Sequence, residues 1–168
     1  MHHLLLMRHA KAERAKDDQS DHGRGLAQSG VAAAKRLRHK LKMLSIEPDV
    51  VLVSSARRTR ETLACILSAH MAPRVDVLES LYMAPASRII KLLHELRETA
   101  NSVLVVGHNP GIGELAAQLA TADSESHAAH QLTEGFPTAR VADFLVLTPW
   151  RQLHPNGVRL QRLIDPND

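Results

Sequence analysis

Three short stretches hold the side chains best suited to chemistry. Arg8-His9 closes the apolar run Leu4-Leu5-Leu6-Met7, and Ser54-Ser55-Ala56-Arg57-Arg58-Thr59-Arg60 follows Asp49-Val50-Val51-Leu52-Val53. Gly107-His108-Asn109-Pro110-Gly111 follows Ser102-Val103-Leu104-Val105-Val106. A neutral imidazole can attack phosphorus and form a covalent phosphohistidine, splitting one hard step into two easier ones. Guanidiniums grip phosphoryl oxygens with two-pronged geometry and neutralise charge as the transition state develops. A second imidazole can bind the equatorial oxygens or shuttle a proton. Two histidines could instead hold a metal, but adjacent arginines repel a cation and the loops offer no carboxylate cluster. His127 and His130, three apart, lack a third ligand at a matching interval and read as surface. With no glycine-rich Walker motif either, the expectation is phosphoryl chemistry without a metal or other cofactor.

These groups converge only if the runs that carry them are neighbours in one sheet. Short continuous apolar runs suit strands buried on both faces, and in open α/β sheets ligands collect beyond the carboxyl ends of such strands. Helices are expected over about Ala27–Leu44, with Leu37, Leu41 and Leu44 inward, and after Ser54 or Ser55 as cap, with Leu63, Ile66 and Leu67 inward. Three arginines in that second helix's first turn sit where the helix dipole disfavours cations, which suggests an anion nearby. Arg74–Val77 reads as a further strand and Ser87–Leu96 as a further helix. Asn109 is placed as an N-cap with Pro110 at the first helical position. Val141–Leu147 and Val158–Ile164 read as two late strands. Ala10–Gly25 and Glu79–Met83 read as loops, Asp123–Pro137 as an aperiodic stretch and candidate lid, and Asp165–Asp168 as a frayed tail.

The fold class that follows is α/β: one three-layer domain over residues 1–168, a mostly parallel sheet with helices on both faces. A chain of 168 residues can bury a sizeable core, and with 44% apolar but only 2% aromatic residues that core must be aliphatic. The single Cys65 cannot form an internal disulfide, no run reaches membrane-helix length, and no secretory pattern opens the chain. A soluble cytoplasmic protein is expected. The net charge of +3 permits acidic partners. The basic stretch Lys35–Lys42 reads as the solvated face of an amphipathic helix, and without stacking aromatics it gives no reason to expect a nucleic-acid partner.

On these residues the chain resembles the histidine phosphatase (phosphoglycerate mutase-like) superfamily. Leu6-Met7-Arg8-His9-Ala10 is similar to its Arg-His signature, and Ser54–Thr62 to its second motif. Val105-Val106-Gly107-His108-Asn109-Pro110-Gly111 is similar to the second-histidine motif of SixA-type phosphohistidine phosphatases, whose compact length it also shares. The resemblance implies that His9 is the nucleophile, that Arg8 and Arg58 are phosphate ligands, that His108 is the second catalytic imidazole, and that Asn109 bonds near the pocket. The first loop departs from the SixA-type pattern: Asp21-His22-Gly23-Arg24-Gly25-Leu26-Ala27 lacks the Pro and Thr after the Arg. The mutase-like general acid is also absent, since Met83 occupies its place after Leu81. Asp21 and Glu79 are the candidate acids instead. A phosphoramidate needs little help from an acid, so the implied substrate is phosphohistidine on a protein, for instance a phosphorelay histidine domain. A broad-specificity phosphomonoesterase acting on a small phosphate ester, and a phosphate-recognising module without turnover, are the alternatives.

Overall fold

The computed structural model describes residues 1–121 and 124–168. Among them the chain forms β1 (His2–Arg8), α1 (Gln28–Met43), β2 (Val50–Ser54), α2 (Arg57–Ile66), β3 (Arg74–Leu78) and α3 (Ala86–His94). It continues with β4 (Ser102–Gly107), α4 (Gly111–Leu119), α5 (Ser126–Thr133), β5 (Val141–Val146) and β6 (Val158–Ile164). These strands make one sheet in the order β3-β2-β4-β1-β5-β6. The first four are mutually parallel, while β5 runs antiparallel to both of its neighbours, β1 and β6.

The apolar runs are apolar throughout because each strand feeds two cores. Leu4, Leu6, Val103 and Val105 point to the side covered by α3, α4 and α5. Leu5, Met7, Val51, Val53, Leu104 and Val106 point to the side covered by α1 and α2. A period of two applied to residues apolar at every position fills both layers. The register aligns the three reactive ends, with Arg8 opposite Gly107 and Val53 opposite Val106. The chain leaves β1 toward α1 on one face and leaves the adjacent β4 toward α4 on the other. That divergence opens a crevice at the carboxyl edge.

Several local expectations are corrected. Residues 126–133, expected to be aperiodic, form α5, with Glu125 accepting from the Ala128 amide and Ala128 and Leu132 buried. Two turns with a single i, i+4 apolar pair leave too little periodicity to read, and Asp123 lies outside the described residues. Leu44 is the C-cap of α1 and is exposed, not inward. Neither Ser54 nor Ser55 caps α2; Ala56 holds that position, and Ser54 Oγ accepts from the Ala56 amide. Helix α4 begins at Gly111, after Pro110. The expected frayed tail is held: Lys40 Nζ donates to the Asp165 and Asp168 carbonyls, and Arg140 pairs with Asp165 at 2.7 Å.

One contact ties the fold to the crevice. A Cβ on Gly30 would lie 2.1 Å from the Lys11 carbonyl oxygen, so α1 abuts the chain leaving His9 through a missing side chain. Gly30→Ala should therefore destabilise the protein by roughly 1–3 kcal/mol, read as a lower urea midpoint at unchanged slope. Ala32→Ser on the exposed face of the same helix should stay within about 0.5 kcal/mol. An unchanged midpoint for Gly30→Ala would show that this contact does not constrain the loop.

Candidate active site

His9 continues the β1 ladder by one residue. Its amide donates to the Gly107 carbonyl at 3.1 Å, and its carbonyl accepts from the Ala139 amide at 3.1 Å. The next amide, of Ala10, donates to Thr62 Oγ1, which in turn donates to the Arg58 carbonyl one turn back in α2. The nucleophile candidate and the arginine beside it are thus located by one buried threonine. Two non-glycine residues adopt the left-handed region next to these groups, Met83 at φ 49° and Ala139 at φ 64°. Such geometry persists only where the surroundings hold it.

Arg58 is 2% exposed and lies between the two imidazoles. Its Nε donates to His9 Nε2 at 3.3 Å, and NH2 donates to His108 Nδ1 at 3.2 Å. A guanidinium can only donate, so both of these ring nitrogens must be bare. The opposite nitrogens agree: His9 Nδ1 donates to the Ala10 carbonyl at 2.7 Å, and His108 Nε2 donates to Ser54 Oγ at 2.7 Å. His9 Nε2 is therefore unprotonated, with its lone pair accepting from Arg58 Nε. The ring centroids are 5.3 Å apart, close enough for both rings to contact one phosphoryl group.

Burial, followed for His9 by the charges of Arg58, Arg8 and Arg24, holds its imidazole down at about 4, against a hydrogen bond to Ala10 that raises it. Burial and then Arg58 hold His108 at about 3. Both rings are accordingly neutral at pH 7. Arg8 NH1 donates to the Phe136 carbonyl, while its Nε is buried with no partner among the described residues. A buried cationic donor left unpaired is costly, and a bound oxyanion would satisfy it. Asn109 Nδ2 donates to the same Phe136 carbonyl at 2.7 Å, and its Oδ1 accepts from the Gly113 amide. Asn109 thus joins the start of α4 to the pocket wall in place of the simple cap expected for it.

Asp21 accepts from Tyr82 Oη at 2.5 Å, from Arg58 NH2 at 3.1 Å and from Arg24 Nε at 3.0 Å. The Tyr82 hydrogen bond, with Arg58 and Arg24 behind it, outweighs partial burial and holds this carboxyl at about 2. Glu79 is exposed on a short 3-10 turn and does not reach the pocket. Arg57 pairs with Glu61 outside it. The cavity, of about 410 Å³, brings together Arg8, His9, Asp21, Arg58, His108 and Asn109. Lys11, Ala12, Arg24, Met83 and Thr138 complete the lining.

Sequence reasoning missed Ser54 as the partner of His108, Thr62 as the tie to β1, and Tyr82 as the partner of Asp21. Ser54 and Thr62 lie inside the arginine motif, and Tyr82 is the chain's one tyrosine, so each carried a faint signal. Thr138 and the Phe136 carbonyl carried none. No group of three His, Cys, Asp or Glu side chains gathers in a metal-binding arrangement among the described residues. Nor is any helix among them long and apolar enough to cross a membrane.

Comparison with known proteins agrees with this geometry. Residues 4–82 match the family model of the histidine phosphatase superfamily, branch 1. A candidate SixA phosphohistidine phosphatase from Nakamurella multipartitia is 32% identical and superposes with a TM-score of 0.86, covering 99% of this chain and 97% of that one. Its counterpart from Agrobacterium tumefaciens is 26% identical with a TM-score of 0.80, covering 98% and 99%. An uncharacterised protein of Mycobacterium tuberculosis is 32% identical over 155 residues, 92% of this chain and 96% of that protein. The chain belongs to the histidine phosphatase superfamily, in its SixA-type branch, and is a phosphatase.

The neutral imidazoles set a pH dependence. Unfolding frees rings that titrate near 6.5, so between about 6.5 and 4 the unfolded chain binds protons that the folded one excludes. The stability supplied by these two depressed groups is complete above about 6.5 and declines as pH falls toward 4 and then 3. The urea midpoint should fall over that interval. A His9→Gln/His108→Gln variant should show a flatter profile; equal slopes would contradict the assignment.

Proposed function

We propose that the domain spanning residues 1–168 hydrolyses phosphohistidine on a protein through a covalent phosphohistidine at His9. In the first step His9 Nε2 forms a bond to phosphorus as the bond to the substrate imidazole breaks. The departing nitrogen takes its proton from solvent. In the second step water attacks phosphorus, the N–P bond breaks, and His9 returns with its lone pair. Arg8 and Arg58 hold the phosphoryl oxygens, and Arg8 Nε gains the acceptor it lacks. His108, beside His9, contacts an equatorial oxygen. A phosphoryl dianion beside His108 favours its protonated form, in which Nδ1 donates to an equatorial oxygen.

The observation that carries the substrate class is the shortage of a proton for the leaving group. Asp21 is a carboxylate held at about 2 by three donors, and Glu79 lies outside the pocket. His108 lies beside the nucleophile, with ring centroids 5.3 Å apart, and is assigned in this reading to the phosphoryl oxygens in preference to the leaving atom. Such a site favours leaving groups that depart without an enzymic acid, as the imidazole of phosphohistidine does, over the alkoxides of ordinary phosphate esters. The candidate SixA phosphohistidine phosphatases among the structural relatives support the same reading. Asp21 serves to orient and neutralise the buried Arg58, with Tyr82 holding the carboxylate in place.

Two experiments test this. Turnover of an aryl phosphate in excess EDTA should persist in the wild type and vanish in His9→Ala; loss of wild-type activity to the chelator would overturn the metal-free route. Asp21→Asn should lower kcat/KM about tenfold, the effect of weakening one charge-assisted contact. That factor should be similar for aryl phosphate, alkyl phosphate and a phosphohistidine protein. A loss concentrated on the alkyl phosphate would instead make Asp21 the general acid.

A further inference from the structure

Helix α1 presents a second electropositive surface, distinct from the catalytic pocket. Lys35, Arg38, His39 and Lys42 follow the spacing i, i+3, i+4, i+7 and are all exposed on one face. The helix contains no Asp or Glu. None of the four lies within ion-pair distance of a carboxylate among the described residues, whereas Arg36 and Lys40 alongside them are bonded to the tail. The helix dipole accounts for a cation in the last turn, as Lys42 is. It does not reach Lys35 or Arg38, and like charges one turn apart destabilise a helix.

These side chains wall a groove of about 380 Å³. Its floor is apolar, from Leu41, Ile46 and Ile66, and Glu47 is its one carboxylate among the described residues. The floor residue Ile46 shortly precedes β2 and the opposite wall, residues 68–71, shortly precedes β3. The groove therefore lies at the starting edge of the parallel strands, away from the carboxyl edge that holds His9.

We propose that this groove docks an acidic peptide segment of a partner protein, with an apolar side chain of that segment seated on the floor. Charge complementarity selects an anionic partner. Nucleic acid is disfavoured because no Phe, Tyr or Trp among the described residues lines the groove for bases to stack on in succession. A lipid surface is disfavoured because the apolar atoms are recessed: Leu41 is 7% and Ile66 3% exposed, so a bilayer meets the lysines before it meets the floor. A single leucine side chain on a peptide is narrow enough to enter a groove of about 380 Å³.

The test is fluorescence anisotropy at low salt with a fluorescein-labelled peptide of repeated Glu-Glu-Leu. Phosphatidylglycerol vesicles and single-stranded DNA serve as competing probes. Wild type should bind the peptide, and the Lys35→Glu/Arg38→Glu variant should bind it at least about tenfold more weakly. Replacing the peptide's leucines by serine should also weaken it. Lys35→Gln/Arg38→Gln should fall between wild type and the reversal, and Lys91→Glu on α3 should leave binding unchanged. Aryl phosphate turnover should be the same in all these variants, which separates this site from the catalytic one. No peptide binding, equal binding by the reversal variant, or tighter Lys35- and Arg38-dependent binding to vesicles or DNA would overturn the proposal.

Discussion

The buried guanidinium of Arg58 is the constraint on which the site depends. A cation at 2% exposure costs several kcal/mol unless its donors are met. Here they are met by Asp21 through both its carbonyl and its carboxylate, by His9 Nε2 and by His108 Nδ1. Satisfying Arg58 fixes both imidazole tautomers and, together with burial, keeps both rings unprotonated. On the proposed mechanism an entering phosphoryl group takes over the Arg58 donors now held by His9 Nε2 and His108 Nδ1, which releases the His9 lone pair for attack.

The sheet explains how three distant segments reach one point. Parallel pairing of β1 with β4 and of β4 with β2 brings Arg8, His108 and Ser54 to the same edge. The helices that follow β1 and β4 leave on opposite faces, so no element fills the space between them. Thr62 then joins the start of α2 to the chain beyond β1, and Asn109 and Arg8 share the Phe136 carbonyl. The positions of the reactive atoms are therefore set by backbone and hydroxyl contacts on regular elements more than by flexible side chains.

Much of this was legible in the sequence. Continuous apolar runs such as Leu4–Met7 and Val103–Val106 announced strands buried on both faces, and the polar groups at their exits marked the reactive edge. Arg8, His9, Arg58, His108 and Asn109 all meet at one cavity, with Asp21 beside them. Glu79 does not, because a 3-10 turn directs it to solvent; a carboxylate near a motif in sequence says nothing of its direction. Asp21 reached the pocket but with its charge fixed by Tyr82, Arg24 and Arg58, contacts spanning loops whose approach no local pattern encodes. Helix α5 was hidden for a different reason, being too short for its Ala128–Leu132 pair to stand out. Likewise the holding of the tail rests on Lys40 and Arg140, partners far away in the chain.

The most direct test of the central claim is to trap the intermediate. Protein turning over a phosphoramidate would be quenched in alkali within the first turnovers, digested and mapped by mass spectrometry. Phosphate is expected on His9, stable to alkali and lost in acid. Turnover with no phosphate on the chain, or with phosphate on His108 in place of His9, would contradict it.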